Sequence, residues 1–153
     1  MHRHIWATGL PAAEVPRPQR HGIAMTPVDP RKTLGDLGER LAVEHLLAKG
    51  YTIREQNFRT AAGEIDIVAE GAGVLAFVEV KCRRGASMGT AAEALTPAKQ
   101  RRMVQMAEAY GQARDGLPAQ WRIDLIAIDF ERDGRLGSVV HYENAVDGGV
   151  IQL

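Results

Sequence analysis

Two short apolar runs, Glu64 to Ala69 and Val74 to Lys81, are separated by only four residues, two of them glycine. Runs of this length, rich in Ile and Val and punctuated by glycines, read as strands, and so short a link makes them a hairpin. Both runs carry ionisable residues: Glu64 and Asp66 in the first, Glu79 and Lys81 in the second. Side chains alternate along a strand. Glu64, Asp66 and Val68 therefore share one face of the first run, and Leu75, Phe77, Glu79 and Lys81 share one face of the second. A register that sets Asp66 beside Glu79 brings two carboxylates and an ammonium onto one patch.

That patch is costly for a purely structural sheet. Neighbouring carboxylates repel and raise each other's pKa unless a cation neutralises them, and the flanking Ile65, Ile67, Val78 and Val80 leave little water to do so. A hard divalent cation relieves the repulsion, and carboxylate oxygens suit Mg²⁺ or Mn²⁺. Lys81, two residues beyond Glu79, projects to the same side about 7 Å along the strand. From there it can orient an attacking water or stabilise charge building on a phosphate. A plain ion pair between Lys81 and Glu79 accounts for a lone Glu-x-Lys triplet, but the second acid and the hairpin favour the cation.

Around this hairpin the periodicity predicts an α-β-β-β-α-β-β order. A first helix is expected from Leu34 to Lys49, with Thr33 as N-cap, Asp36 at capping-box spacing and Gly50 as a left-handed stop. Tyr51 to Phe58 is a strand before the hairpin, and Gly85 to Leu95 a loop. A second helix starts on Thr96 as N-cap with Pro97 at the first helical position and runs to about Arg114. Strands are expected at Trp121 to Asp129 and Ser138 to Glu143. A helix between the third and fourth strands permits a parallel crossover, so the expected fold is α/β, a mixed central sheet flanked by helices. Residues 1–32, proline-rich and without period, read as a disordered or loosely attached tail, part of it removed if the chain starts at Met25. The domain spans 33–147, and 148–153 form a short C-terminal tail.

The formal net charge is zero, which argues against a uniformly basic nucleic-acid binder. Local patches matter more for meeting phosphates. Lys81, Arg83, Arg84, Lys99, Arg101 and Arg102 form two basic clusters, and the only acid between Lys81 and Arg102 is Glu93. A solvated surface is the plainer reading of these charges. The single cysteine, Cys82, excludes an internal disulfide and any cysteine-based zinc pattern. It favours a reducing, cytoplasmic setting. No run approaches the ~18 apolar residues of a membrane span, and the apolar stretch Ile5 to Ala13 is too broken for a signal peptide.

Gly63-Glu64-Ile65-Asp66-Ile67-Val68-Ala69 followed by Phe77-Val78-Glu79-Val80-Lys81 resembles the PD-(D/E)xK signature of restriction-endonuclease-like proteins, with Ile65 where the motif's proline would stand. More closely, the chain resembles the YraN family of small bacterial proteins. The segments Gly35 to Ala42, Asn57-Phe58-Arg59, Thr96 to Arg102, Arg122-Ile123-Asp124 and Glu143-Asn144-Ala145 extend that match over about residues 33–147. The resemblance implies a restriction-endonuclease-like, Holliday-junction-resolvase-like fold, Asp66 and Glu79 as metal ligands and Lys81 as the catalytic lysine. It makes Glu39 the helix-borne acid that some members add to the metal site, and Gln100 the glutamine that related nucleases carry near the metal. Glu39 sits among the small or apolar Gly35, Ala42, Val43 and Leu46 at helical spacing, which fits a cation-facing acid.

Glu64 shares Asp66's strand and is a further candidate for metal or substrate. Asp124 is expected to pair with Arg122, His45 to be a core or boundary histidine, and Cys82 to pack on the face opposite Lys81. The expected function is a Mg²⁺- or Mn²⁺-dependent nuclease acting on nucleic acid, DNA before RNA. Arg83, Arg84, Lys99, Arg101 and Arg102 would grip flanking phosphates without reading sequence. Branched DNA is suggested only by analogy between folds. The alternatives are a non-catalytic nucleic-acid-binding module and a module whose site a protein partner completes; a homodimer would suit a two-fold substrate.

Overall fold

A computed structural model describes residues 30–85, 93 and 95–146. The tails at 1–29 and 147–153, and most of the loop expected at Gly85 to Leu95, lie outside the described residues. The element order is the expected one: α1 (Pro30–Ala48), β1 (Thr52–Thr60), β2 (Gly63–Gly71), β3 (Val74–Arg84), α2 (Pro97–Ala113), β4 (Trp121–Phe130) and β5 (Leu136–Tyr142). The five strands form one sheet in chain order. β3 and β4 are parallel and every other pair is antiparallel. The single parallel pair is the one joined through a helix, as short hairpin links cannot make it. Among the described residues no helix is long and apolar enough to cross a membrane.

α1 begins at Pro30 rather than after Thr33, so Thr33 lies within the helix and is not its cap. Proline is suited to a first helical position, where its missing N–H costs nothing and its fixed φ is already helical. At the other end Gly50 takes φ +89° and donates its N–H to the Leu47 carbonyl, the expected left-handed stop. α2 starts as its sequence prescribes. The Thr96 side chain accepts from the Lys99 N–H, and Pro97 opens the first turn.

The sheet separates two cores. On one face α2 lays Met103, Met106, Ala107 and Tyr110 onto Val68, Phe77, Trp121, Ile123 and Leu125. On the other, Ala42 and Leu46 of α1 cover Ile67, Ala69, Ala76, Val78, Ile126 and Ile128. β3 and β4 are buried on both faces, which explains their near-continuous apolar sequences. α1 comes unusually close to β3: a Cβ on Gly38 would overlap the Cys82 sulfur. Only a residue without a side chain lets the helix settle there. Cys82 therefore packs toward α1, away from Lys81 as its strand position requires.

Asp124 is the one fully buried acid among the described residues. Arg122 Nε donates to it at 2.9 Å, as expected, and the Asn144 N–H also donates at 2.9 Å. His141 Nε2 lies 2.8 Å from its other oxygen, while the Lys49 ammonium stands 2.8 Å from His141 Nδ1. An ammonium only donates, so Nδ1 is the acceptor and Nε2 carries the proton toward Asp124. Burial works against the carboxylate's charge, but the bonds from His141, Arg122 and the Asn144 N–H outweigh it and hold its pKa low. Through Lys49 this cluster ties the C-terminal end of α1 to β4 and β5. His45 is half-buried beside it, its ring centroid 6.2 Å from that of His141.

Candidate functional site

The site begins where regular pairing ends. β2 and β3 pair from Gly71–Val74 up to Ile67–Val78. Beyond that point the Val80 N–H donates to the Asp66 side chain, to Oδ2 at 2.8 Å. On the other side of β2, pairing with β1 joins Gln56 to Ile67 and then Phe58 to Ile65, passing over Asn57 and Asp66. Asn57 has φ +54°, a left-handed conformation that asparagine tolerates better than most residues. The irregularity changes which way Asp66 faces. Strict alternation keeps it with Val68, on the α2 face; instead Val68 packs with α2 while Asp66 lines a cavity with Leu34, Gly35 and Glu39 of α1.

This cavity, of about 390 Å³, lies in the fork between β2 and β3. Because β2 has turned away, successive residues of β3 from both faces, Glu79, Val80, Lys81 and Cys82, line it together. Ligand oxygens of Glu39, Glu64 and Asp66 all fall within 4.8 Å of one another. Glu79 stands outside that set of three; its Oε1 is 2.6 Å from the Lys99 ammonium in the first turn of α2. It remains near enough to repel Asp66. Burial first, then the charge of Glu79, push the Asp66 carboxyl up to about 7, against the pull of the Val80 N–H; Glu39 and Glu64 add to the rise. Glu39 is raised too, by burial first and then by Glu64.

The other expected site residues are placed as follows. Lys81 is half-buried in the cavity wall. The Gln100 side-chain amide donates to the Leu95 carbonyl at 2.9 Å, so it fixes the approach to α2. Arg83 is paired with Asp129 at 3.0 Å, and Arg84 donates to the Arg132 carbonyl at 2.9 Å. Arg101 and Arg102 are exposed on α2, just beyond Lys99. Burial, followed by the nearby charges of Asp66 and Glu39, raises the Cys82 thiol to about 11.

Two residues that sequence reasoning did not place in the site stand against the acids. The Asn57 side-chain amide stands 2.9 Å from Glu64 Oε1 and 3.2 Å from Glu39 Oε2, and because both carboxylates only accept, its nitrogen is assigned as the atom turned toward them. Arg59 lies 3.5 Å from Glu64, its side chain 87% exposed. An asparagine inside a strand of β-formers was the available signal, since asparagine is depleted in regular strands and favoured at left-handed positions.

The donor set fits a hard divalent ion. Two ligands of one Mg²⁺ at about 2.1 Å stand at most roughly 4.2 Å apart, so oxygens already within 4.8 Å need only a small contraction. Asp66, whose carboxyl burial and the charge of Glu79 push up, is relieved by a cation that neutralises it.

The chain matches the model of the Uncharacterised protein family UPF0102 over residues 38–128. It is 45% identical to a UPF0102 protein of Symbiobacterium thermophilum over 105 residues, covering 69% of this chain and 89% of the relative. It is 44% identical to a UPF0102 protein of Roseiflexus castenholzii over 119 residues, 76% of this chain and 95% of that one. A UPF0102 protein of Mycolicibacterium smegmatis is 45% identical over 113 residues, 72% and 90% of the respective chains. The match takes in Glu39, Asn57, Glu64, Asp66, Glu79, Lys81 and Lys99, and the chain belongs to the UPF0102 family, the YraN family its motifs resemble.

Proposed function

We propose that this protein is a metal-dependent nuclease that hydrolyses phosphodiester bonds, with DNA as the preferred polymer. The observation that carries the reading is the fork cavity, lined by Glu39, Asp66, Glu79 and Lys81, with an oxygen of the exposed Glu64 within 4.8 Å of those of Glu39 and Asp66. Asp66 and Glu79 would hold Mg²⁺ or Mn²⁺, with Glu39 and Glu64 completing the oxygen shell. When bound, the ion supplies a Lewis acid for the phosphate and lowers the pKa of water. The chain's own residues do the rest. Lys81 presents a cation to the oxygens on which negative charge develops. Asp66, held by the Val80 N–H, keeps one oxygen aimed into the cavity. Lys99, Arg101 and Arg102, at the N-terminal part of α2, meet the flanking phosphates, where the helix dipole adds its own positive end.

A binding module without catalysis has no use for four acids facing an anionic polymer. The test is a metal-dependence assay on linear, flapped and four-way DNA and on RNA, comparing wild type with Glu79→Ala and Lys81→Ala. Cleavage is expected with Mg²⁺ or Mn²⁺, abolished by chelator and by either substitution. Cleavage that survives both substitutions refutes the mechanism.

A further inference from the structure

Asn57 lies outside every residue that the nuclease reading needs for chemistry, yet it touches two of the three converging acids. Glu39 comes from α1 and Glu64 from β2, and neither element holds the other's carboxylate. Between them sits one side-chain amide, 2.9 Å from Glu64 Oε1 and 3.2 Å from Glu39 Oε2. Both carboxylates only accept, so the amide nitrogen must be the group that faces them, with one N–H available for each. The backbone is shaped for this contact. The φ of +54° at Asn57 falls where β1–β2 pairing passes over Asn57 and Asp66 without a change of register, and Asp66 there lines the cavity.

We infer that Asn57 is a positioning residue that clamps Glu39 to Glu64 and so sets the spacing of the candidate metal ligands. The inference rests on the nuclease reading of the fork cavity and adds to it a residue that acts through the ligands. In the absence of a cation the amide offsets part of the repulsion between the two acids. On metal binding it keeps their remaining lone pairs occupied and their other oxygens aimed inward, the usual work of groups behind a metal shell. The exposed Arg59 beside Glu64 adds charge on the solvent side without reaching across to Glu39.

The left-handed backbone makes a clean test available, because glycine adopts that φ freely and removes only the amide. Full-length wild type and Asn57→Gly would be titrated with Mn²⁺ alone by calorimetry, and their thermal unfolding compared in chelator. Asn57→Gly is expected to weaken Mn²⁺ binding about tenfold, within the range for loss of a ligand-orienting group, while its unfolding temperature in chelator stays within a few degrees of wild type. Asn57→Asp, of the same size and equally tolerant of this backbone, gives a second reading. It should be less stable than wild type in chelator and recover with saturating Mn²⁺. Unchanged Mn²⁺ affinity in Asn57→Gly overturns the clamp and leaves the nuclease site standing, as does an Asn57→Asp whose stability deficit is indifferent to Mn²⁺. A wild type that binds no Mn²⁺ overturns both.

Discussion

Substituting Asp66 by Asn separates the electrostatic cost of the site from its use. In the folded chain the Asp66 carboxyl is pushed from its ordinary 3.8 to about 7. Because the folded value lies above the unfolded one, the native state holds a proton that the unfolded chain has released between about pH 4 and pH 7. The penalty is absent below pH 4, grows through that window and is complete above pH 7. At about 1.4 kcal/mol per pH unit the ceiling is roughly 4 kcal/mol; partial contact with water scales the expectation to about 2 kcal/mol. The substituted amide would carry no charge, yet its oxygen can still accept from the Val80 N–H. In urea titrations with chelator, Asp66→Asn should therefore exceed wild type by about 2 kcal/mol at pH 8 and match it at pH 4. With Mn²⁺ at 100 times its dissociation constant, wild type gains about 2.7 kcal/mol and the order reverses. A variant no more stable than wild type at pH 8 in chelator would refute the account of a strained, cation-seeking carboxylate.

Two further substitutions probe the surroundings. Gly38→Ala drives a methyl into the Cys82 sulfur, so it should destabilise by about 1–3 kcal/mol despite alanine's better helix propensity. Calorimetry should show the loss largely recovered in the Gly38→Ala, Cys82→Ala double variant, and a single variant as stable as wild type would contradict the close approach. Lys99→Gln removes the ammonium that stands on Glu79, so Mn²⁺ should bind about tenfold tighter. The same change should lower the salt dependence of DNA binding by about one phosphate contact; Mn²⁺ affinity equal to wild type would show that the lysine does not compete.

The hairpin was legible because apolar runs, glycines and period 2 are local properties; the second helix because Thr96 and Pro97 mark its start, and the first because its stop is written in Gly50. The acids on β2 and β3 stood out for the same reason, being charges within apolar strands. What the sequence could not convey was the fork. Asp66 leaves the face of Val68 through one left-handed residue on the neighbouring strand, and no periodicity records a neighbour's backbone. The convergence of Glu39 and Glu64 likewise depends on how near α1 comes to β3, which Gly38 and Cys82 decide from distant parts of the chain. Thr33 read as a cap because its spacing to Asp36 is right, but Pro30 supplies an earlier start. Gln100 entered only through the resemblance; its amide donates to the carbonyl five residues back, a contact that no helical period records.

α1 is held at two places, by the tight seat of Gly38 on Cys82 and by the polar link from Lys49 to the Asp124 cluster. About 15 Å of helix separates Glu39 from Lys49. Between them Ala42 and Leu46 are wholly buried against the sheet, so the helix is seated along this length rather than hinged at a single point. Damage to the Asp124 cluster should thus loosen α1 first at its Lys49 end, while the turn that carries Glu39 stays seated beside Gly38.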